Sequence, residues 1–290
     1  MADKLPQIPC QMPDLNTRKP SIEVPRGACD AHAHLFGPPD RYPYTPTKGY
    51  TPPPVTVEDY RRMLGVLGIE HAVIVHTGVH EGYQVTIDAL KASQGRWRAT
   101  ALPDLTSEKA IAALDEVGFC GIRFNPYYNA EQELRPMEEI AARIKPFGWH
   151  LQFHLDAASL TELAPRLEKL PVGIVIDHLG HMPLAKGTKN PGFQILLGML
   201  REKRCWVKLS APMRFEDERP PYPNVVPFAQ ALIEAGPDRV VWGSDWPHVI
   251  FDGYMPNDGE LLDILARWAP DPAMRKRILV DNPAALYAFQ

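Results

Sequence analysis

The sequence has no C-x-x-C pair, no glycine-rich phosphate loop, no basic excess and no apolar run of membrane-spanning length. Each absence excludes a class of protein. The four cysteines, at 10, 29, 120 and 205, are too few and too scattered for a disulfide framework, and three of them sit inside apolar runs as small hydrophobes do. That usage fits a reducing cytoplasm. A formal net charge of -4 and a pI near 6.2 argue against a nucleic-acid protein, whose footprint is a basic excess. Nothing in the chain matches a bilayer span, and the opening MADKLPQIPCQM has no apolar stretch of the kind a secretory signal needs, so neither membrane insertion nor secretion is expected. Gly27 and Gly37 do not form G-x-G-x-x-G, which removes the usual sign of a dinucleotide-binding sheet.

Apolar residues and proline are plentiful instead. A hydrophobic content of 45% against 23% charged residues supports a large core and excludes disorder. The 31 prolines crowd before residue 55 and between 212 and 227, where they impose extended loops. Residues 1–25 carry five of them and no periodicity. An arm is expected there, lying over the body or pairing with a partner, with residues 26–290 forming one domain. A homo-oligomer is left open.

From residue 27 onward, short β-branched runs alternate with helical stripes. Strands are expected to end at His34, Thr77, Pro103, Asn125, His154, His178, Ser210 and Asp245. Helices follow them, the first announced by Thr56-x-x-Asp59 and a stripe of Tyr60, Met63, Leu64 and Leu67 ending at Gly68. Eight such units in 290 residues imply a closed (β/α)8 TIM barrel, since an open doubly wound sheet would have fewer strands and a phosphate loop.

Chemistry in such barrels sits at the C-terminal ends of the strands. Seven of the ten histidines fall there: His32, His34, His76, His80, His154, His178 and His248. His71 and His150 begin strands and belong to the opposite face. His76 can point inward or only finish its strand, and His248 can serve the site or only a loop carbonyl. His32 and His34 are two apart, so both project to one face of their strand, where they can share a metal ion or hold one carbonyl oxygen. With His154 and Asp245 they make an N/O ligand set suited to one divalent ion, zinc or manganese. Asp245 can ligate and also take a proton from water, while His178 can bond that water or polarise a substrate carbonyl. Metal-assisted hydrolysis is the expected chemistry.

Asp30-x-His32-x-His34, Ile176-Asp177-His178-Leu179-Gly180 and Trp242-Gly243-Ser244-Asp245-Trp246-Pro247-His248 together resemble the amidohydrolase superfamily. The likeness extends from about Pro25 to Tyr287 and is closer to its branch of pyrone-dicarboxylate lactonases and sulfomuconolactone hydrolases, through Gly121-Ile122-Arg123-Phe124-Asn125 and the segment from Phe36 to Tyr50. The resemblance implies a (β/α)8 barrel that opens a lactone in the breakdown of aromatic compounds. It implies Asp245 as general base, with His32, His34 and His178 around the scissile carbonyl. It also implies Arg123 as a carboxylate-binding arginine, and Tyr50 and His80 as substrate-side residues.

Three departures bear on the substrate. The strand-5 residue, a tyrosine in pyrone-dicarboxylate lactonases, is His154, which restores the ligand set of metal-dependent relatives where those lactonases act without metal. No arginine follows Arg123, since Pro126-Tyr127-Tyr128-Asn129 stands there, and a third expected arginine is His181, retained here as a substrate-side residue. Two lost guanidiniums remove two bidentate carboxylate clamps. Arg123, with Lys208 and Arg214 as further cations, then fits a lactone bearing one carboxylate or sulfonate. A nonoxidative decarboxylase, a sugar-acid lactonase or lactone isomerase, and a noncatalytic binding barrel are the competing readings, the last disfavoured by the presence of Asp245.

Overall fold

A computed structural model describes residues 8–46, 49–105, 107–127, 134–215 and 219–289. Eight parallel strands form one sheet in sequential order: β1 (Cys29–Ala33), β2 (His71–Val75), β3 (Trp97–Ala101), β4 (Phe119–Phe124), β5 (His150–Phe153), β6 (Ile174–Ile176), β7 (Trp206–Ser210) and β8 (Val240–Gly243). The seam between β8 and β1 is closed by a parallel bridge from Ala33 to Trp246 and by two backbone bonds, Asp245 N to His32 O at 2.8 Å and His34 N to Trp246 O at 2.7 Å. The ring is thereby complete, and the expected (β/α)8 barrel is the fold.

Helices cover its outside: α1 (Val57–Leu67), α2 (Gln84–Ala92), α3 (Glu108–Asp115), α4 (Met137–Ile144), α5 (Leu160–Leu167), α6 (Pro191–Arg201) and α7 (Val226–Ala235). A run of shorter helical pieces from Asp258 to Tyr287 completes the layer. α1 illustrates why they form. Thr56 and Asp59 make a reciprocal capping box, Tyr60, Met63, Leu64 and Leu67 are buried on one stripe, and Gly68 ends the helix at φ 75°. The helix expected over about 133–146 is described as Met137–Ile144; residues 128–133 lie outside the described set.

All strands but β7 end one or two residues before the expected position, and two of these differences bear on the site. The strand expected to run to His178 ends at Ile176, and the one expected to run to Asp245 ends at Gly243. His178 (φ 51°), Leu179 (φ 52°) and Asp245 (φ 67°) are left-handed, which no strand accommodates. Both site residues therefore stand on sharp turns just past their strands, a strained conformation that the surrounding fold must enforce.

Residues 8–25 contain no helix. Ile8–Pro9 pairs in parallel with Tyr50–Thr51, and the chain then runs along the Asp258–Asp263 helix. There Arg18 N donates to Asn257 Oδ1 at 2.9 Å, and Ser21 bonds Asp263 through both its amide and its hydroxyl. Gly259 makes this approach feasible, since a Cβ on it would meet the Arg18 carbonyl oxygen at 2.1 Å. Among the described residues no helix is long and apolar enough to cross a membrane.

Candidate active site

The C-terminal mouth of the barrel holds a cavity of about 180 Å³, lined among others by His34, Tyr50, Arg123, His154, His178 and Asp245. A larger cleft of about 660 Å³ opens near Cys120 and Trp149 at the other end of the barrel, far from these groups.

Asp245 is the centre of the arrangement. Its Oδ2 accepts from Arg214 Nε at 2.9 Å and Nη2 at 2.8 Å. Its Oδ1 faces three imidazoles instead, with the Nε2 atoms of His32 and His34 each at 3.6 Å and that of His178 at 3.8 Å. Burial works to raise the pKa of this carboxyl, yet Arg214, His178 and the other histidines hold it well below the ordinary value. It is a buried anion.

Hydrogen bonds at the far ring atoms orient the imidazoles. His34 Nδ1 donates to the Val75 carbonyl at 2.8 Å, which leaves its Nε2 a lone pair. His178 Nδ1 meets Ser210 Oγ at 2.9 Å. Burial keeps His32 neutral, with a pKa pushed down to about 3, and lowers that of His178 well below its usual value. His32, His178 and Asp245 offer one ligand atom each, all within 4.8 Å of one another. Of these, His32 Nε2 and Asp245 Oδ1 are buried without a hydrogen-bond partner. Two orphaned polar atoms facing each other fit a bound cation, provided His32 Nε2 carries the lone pair, because buried polar atoms are otherwise almost always satisfied.

His154, expected beside His32 and His34, lies in a different cluster. Its Nε2 contacts His181 Nδ1, and Tyr127 stacks on both rings at 5.0 and 4.4 Å between centroids. The imidazoles of His154 and His178 stand edge to face at 5.1 Å, so the clusters adjoin. Arg123 Nε donates to Asp177 Oδ2 at 2.8 Å, and its side chain is 12% exposed at the cavity. Arg214 spends two of its nitrogens on Asp245 and bonds the Val249 carbonyl at 2.9 Å. Lys208 is fully buried beneath the cavity, donating to Gln152 Oε1 at 2.8 Å, with a pKa lowered to about 8 by burial. Tyr50 lines the cavity.

The remaining histidines sort themselves. His80 sits among Phe36, Tyr42 and Tyr44 and bonds the Tyr42 carbonyl through Nδ1 (2.8 Å), outside the residues that line the cavity. A carbonyl only accepts, so its Nδ1 is the donor. His76 lines the cavity wall and bonds Thr86 Oγ1 at 2.9 Å. His248 turns away, 3.3 Å from the buried Asp258.

Asp177 and Gln152 are not among the site residues expected from the sequence. Asp177 stands directly before His178 and takes bonds from Arg123 and from Gln152 Nε2 at 3.0 Å. A glutamine inside the apolar run of β5, like the lysine inside β7, was the available signal of an inward polar layer.

Three strand ends bring two histidines and an aspartate together at this mouth, as in a hydrolase barrel of the amidohydrolase type. The chain belongs to the amidohydrolase family, whose profile matches residues 29–289. It is 38% identical over 275 residues to a 4-sulfomuconolactone hydrolase of Hydrogenophaga intermedia, covering 91% of this chain and 89% of that one. It is 35% identical over 286 residues to a 2-pyrone-4,6-dicarboxylate hydrolase of Comamonas testosteroni, covering 94% and 93%. Among solved structures, ATU3138 of Agrobacterium tumefaciens superposes with a TM-score of 0.84 at 29% identity, covering 93% of this chain and 99% of that one.

Proposed function

We propose that this protein is a hydrolase that opens the ring ester of a small lactone bearing one carboxylate or sulfonate, of the muconolactone or pyrone type, formed in the breakdown of aromatic compounds. The observation that carries this reading is Asp245 Oδ1, a buried carboxylate oxygen without a donor, which three imidazoles surround at the cavity that His34, His178 and Arg123 line. The relatives named above support the lactone and its anionic character, one acting on a sulfomuconolactone and the other on a pyrone with two carboxylates.

Each residue has a definable task. Arg123 receives the substrate's anionic group, where a guanidinium gives charge-assisted bonds. Asp245 Oδ1 orients a water and takes its proton, and Arg214 keeps the other oxygen fixed so that Oδ1 alone faces the reactants. His178 stands 3.8 Å from Oδ1, where its Nε2 either holds the carbonyl oxygen of the ring ester or, with an ion bound, ligates that ion. Tyr50 closes the cavity beside the ring.

His32, His178 and Asp245 would hold one divalent ion, with His34 beside the same carboxylate oxygen; the imidazole and carboxylate donors suit zinc or manganese. Such an ion, when bound, supplies Lewis acidity at the water and at the carbonyl. His154 joins this set only by leaving His181.

The test is a panel of anionic lactones followed for ring opening and for carbon dioxide release, with metal content measured on the same preparation. Ring opening of a monoanionic lactone, abolished by a chelator and restored by zinc or manganese, is expected. Carbon dioxide release from an aromatic or enoic acid without ring opening would replace the reading with a decarboxylase. Full activity in metal-free protein would remove the ion but not the lactonase.

A further inference from the structure

Below the cavity a layer of buried polar side chains crosses the barrel, contributed by five different strands or strand ends. Asp177 is its hub. Its Oδ2 accepts from Arg123 Nε at 2.8 Å and Gln152 Nε2 at 3.0 Å, while its Oδ1 lies 3.3 Å from His32 Nδ1 and 3.7 Å from Lys208 Nζ. Asp177, His32, Gln152 and Lys208 are all completely shielded from solvent. One carboxylate thus touches the arginine on the substrate side and the histidine on the reacting side.

We propose that Asp177 is a positioning residue for both halves of the site: it aims the terminal nitrogens of Arg123 at the substrate's anion, and it fixes His32 as the Nδ1–H tautomer, whose Nε2 lone pair faces Asp245. The second part rests on the lactonase reading only for its consequence in turnover.

A competing contact demands the opposite tautomer. Lys208 Nζ lies 3.5 Å from the same His32 Nδ1, and an ammonium there would need Nδ1 as its acceptor. The distribution of partners decides between them. Lys208 already donates to Gln152 Oε1 at 2.8 Å. Asp177 Oδ1 is buried and has no well-aligned donor, and His32 Nδ1 is its nearest one. Two buried carboxylate oxygens compete for the one ring proton, and Asp177 Oδ1, 3.3 Å from Nδ1, is nearer than Asp245 Oδ1, 3.6 Å from Nε2, which His34 and His178 also face, so the proton belongs on Nδ1. A carboxylate behind an imidazole is also the general way in which a ring is turned to present its other nitrogen.

An amide at this position discriminates the proposal. In Asp177→Asn the carbonyl oxygen can keep Arg123 and Gln152, which puts the NH2 group against His32 Nδ1 and forces the proton to Nε2. The measurement is the nitrogen-15 shift pattern of the His32 ring in histidine-labelled protein as isolated, assigned by comparison with His32→Gln, together with kcat and KM on the lactone that is turned over best. In the parent protein His32 should show a protonated Nδ1; a protonated Nε2 there overturns the proposal without any variant or substrate. Asp177→Asn should reverse the pattern and lower kcat about 100-fold, the scale of a one-ångström misplacement. Asp177→Ala should add a KM increase of about 10-fold as Arg123 swings free, whereas Arg123→Met should raise KM and leave the His32 pattern unchanged. An Asp177→Asn protein with the parental His32 pattern, or one altered only in KM, refutes the role. If no lactone is hydrolysed at all, the ring-nitrogen pattern still decides, so failure of the lactonase reading is distinguishable from failure of this one.

Discussion

Replacing Gly243 with alanine puts the barrel seam and the site under one strain. An ideal Cβ there lies 2.7 Å from His32 Cβ and 2.9 Å from His32 N. Carbon atoms pack at about 3.5–4.0 Å, so roughly 1 Å must open between β8 and β1. The backbone cannot yield freely, because Asp245 N to His32 O (2.8 Å) and His34 N to Trp246 O (2.7 Å) close the ring on either side. Overpacking of a rigid interior costs about 1–3 kcal/mol, and weakening the two seam bonds adds about 1 kcal/mol. For a chain of 290 residues the unfolding entropy is about 0.6 kcal/mol/K, so Tm should fall by about 3–6 °C. The same displacement moves His32 away from Asp245 and should reduce kcat about 100-fold. Thermal unfolding and lactone turnover measure the two effects. Gly198→Ala is the control, since nothing lies within 4 Å of its added Cβ in the middle of α6; it should gain about 0.5–1 kcal/mol of stability and keep its activity. A Gly243→Ala protein within 1 °C and threefold of the parent would refute the claim that the seam is rigid.

Asp245→Asn should reduce kcat by about 10³-fold with the fold intact by circular dichroism; near-normal turnover would remove Asp245 as the base. Arg214→Met should let the Asp245 pKa rise toward the ordinary carboxylate range, because the neighbouring guanidinium holds it down; the acid limb of kcat/KM then moves to higher pH, and an unchanged limb would separate the two residues. Asp30 is raised to about 6 by burial despite the bonds it accepts from Ser244, His32 and Tyr60. A carboxyl whose folded pKa lies above its unfolded one stabilises fully below the unfolded value and loses that contribution as pH rises through the folded value. The stability difference between parent and Asp30→Asn should therefore shrink by up to about 3 kcal/mol from pH 4 to pH 6.5, as denaturant titrations would show.

The barrel was legible because its strands are short and β-branched, and the polar residues at their ends broke the pattern at the same place each time. His32, His34, His178 and Asp245 share one mouth for that reason. Pairings across the ring were not legible. Arg214 meets Asp245 over 31 residues, Lys208 meets His32 over 176, and no spacing rule connects them. From the sequence Arg214 is either a further cation for the substrate or a solvated loop residue, and only the geometry shows its guanidinium engaged with Asp245. His154 read as a ligand because its strand end was right, but the turn after β6 brings His181 to its Nε2. His248 was undecided between site and loop; its neighbour Asp258 lies on a helix ten residues further on.

The pairing of Ile8–Pro9 with Tyr50–Thr51 has a practical side. Cys10 continues it, its amide donating to the Thr51 carbonyl at 2.9 Å and its sulfur accepting from Ile250 N at 3.3 Å. Tyr50 and Ile250 both line the cavity, so the segment at residues 8–10 braces the substrate's enclosure. Substitutions at residues 8–10, far in sequence from every residue of the site, therefore act on the binding pocket and should show in KM.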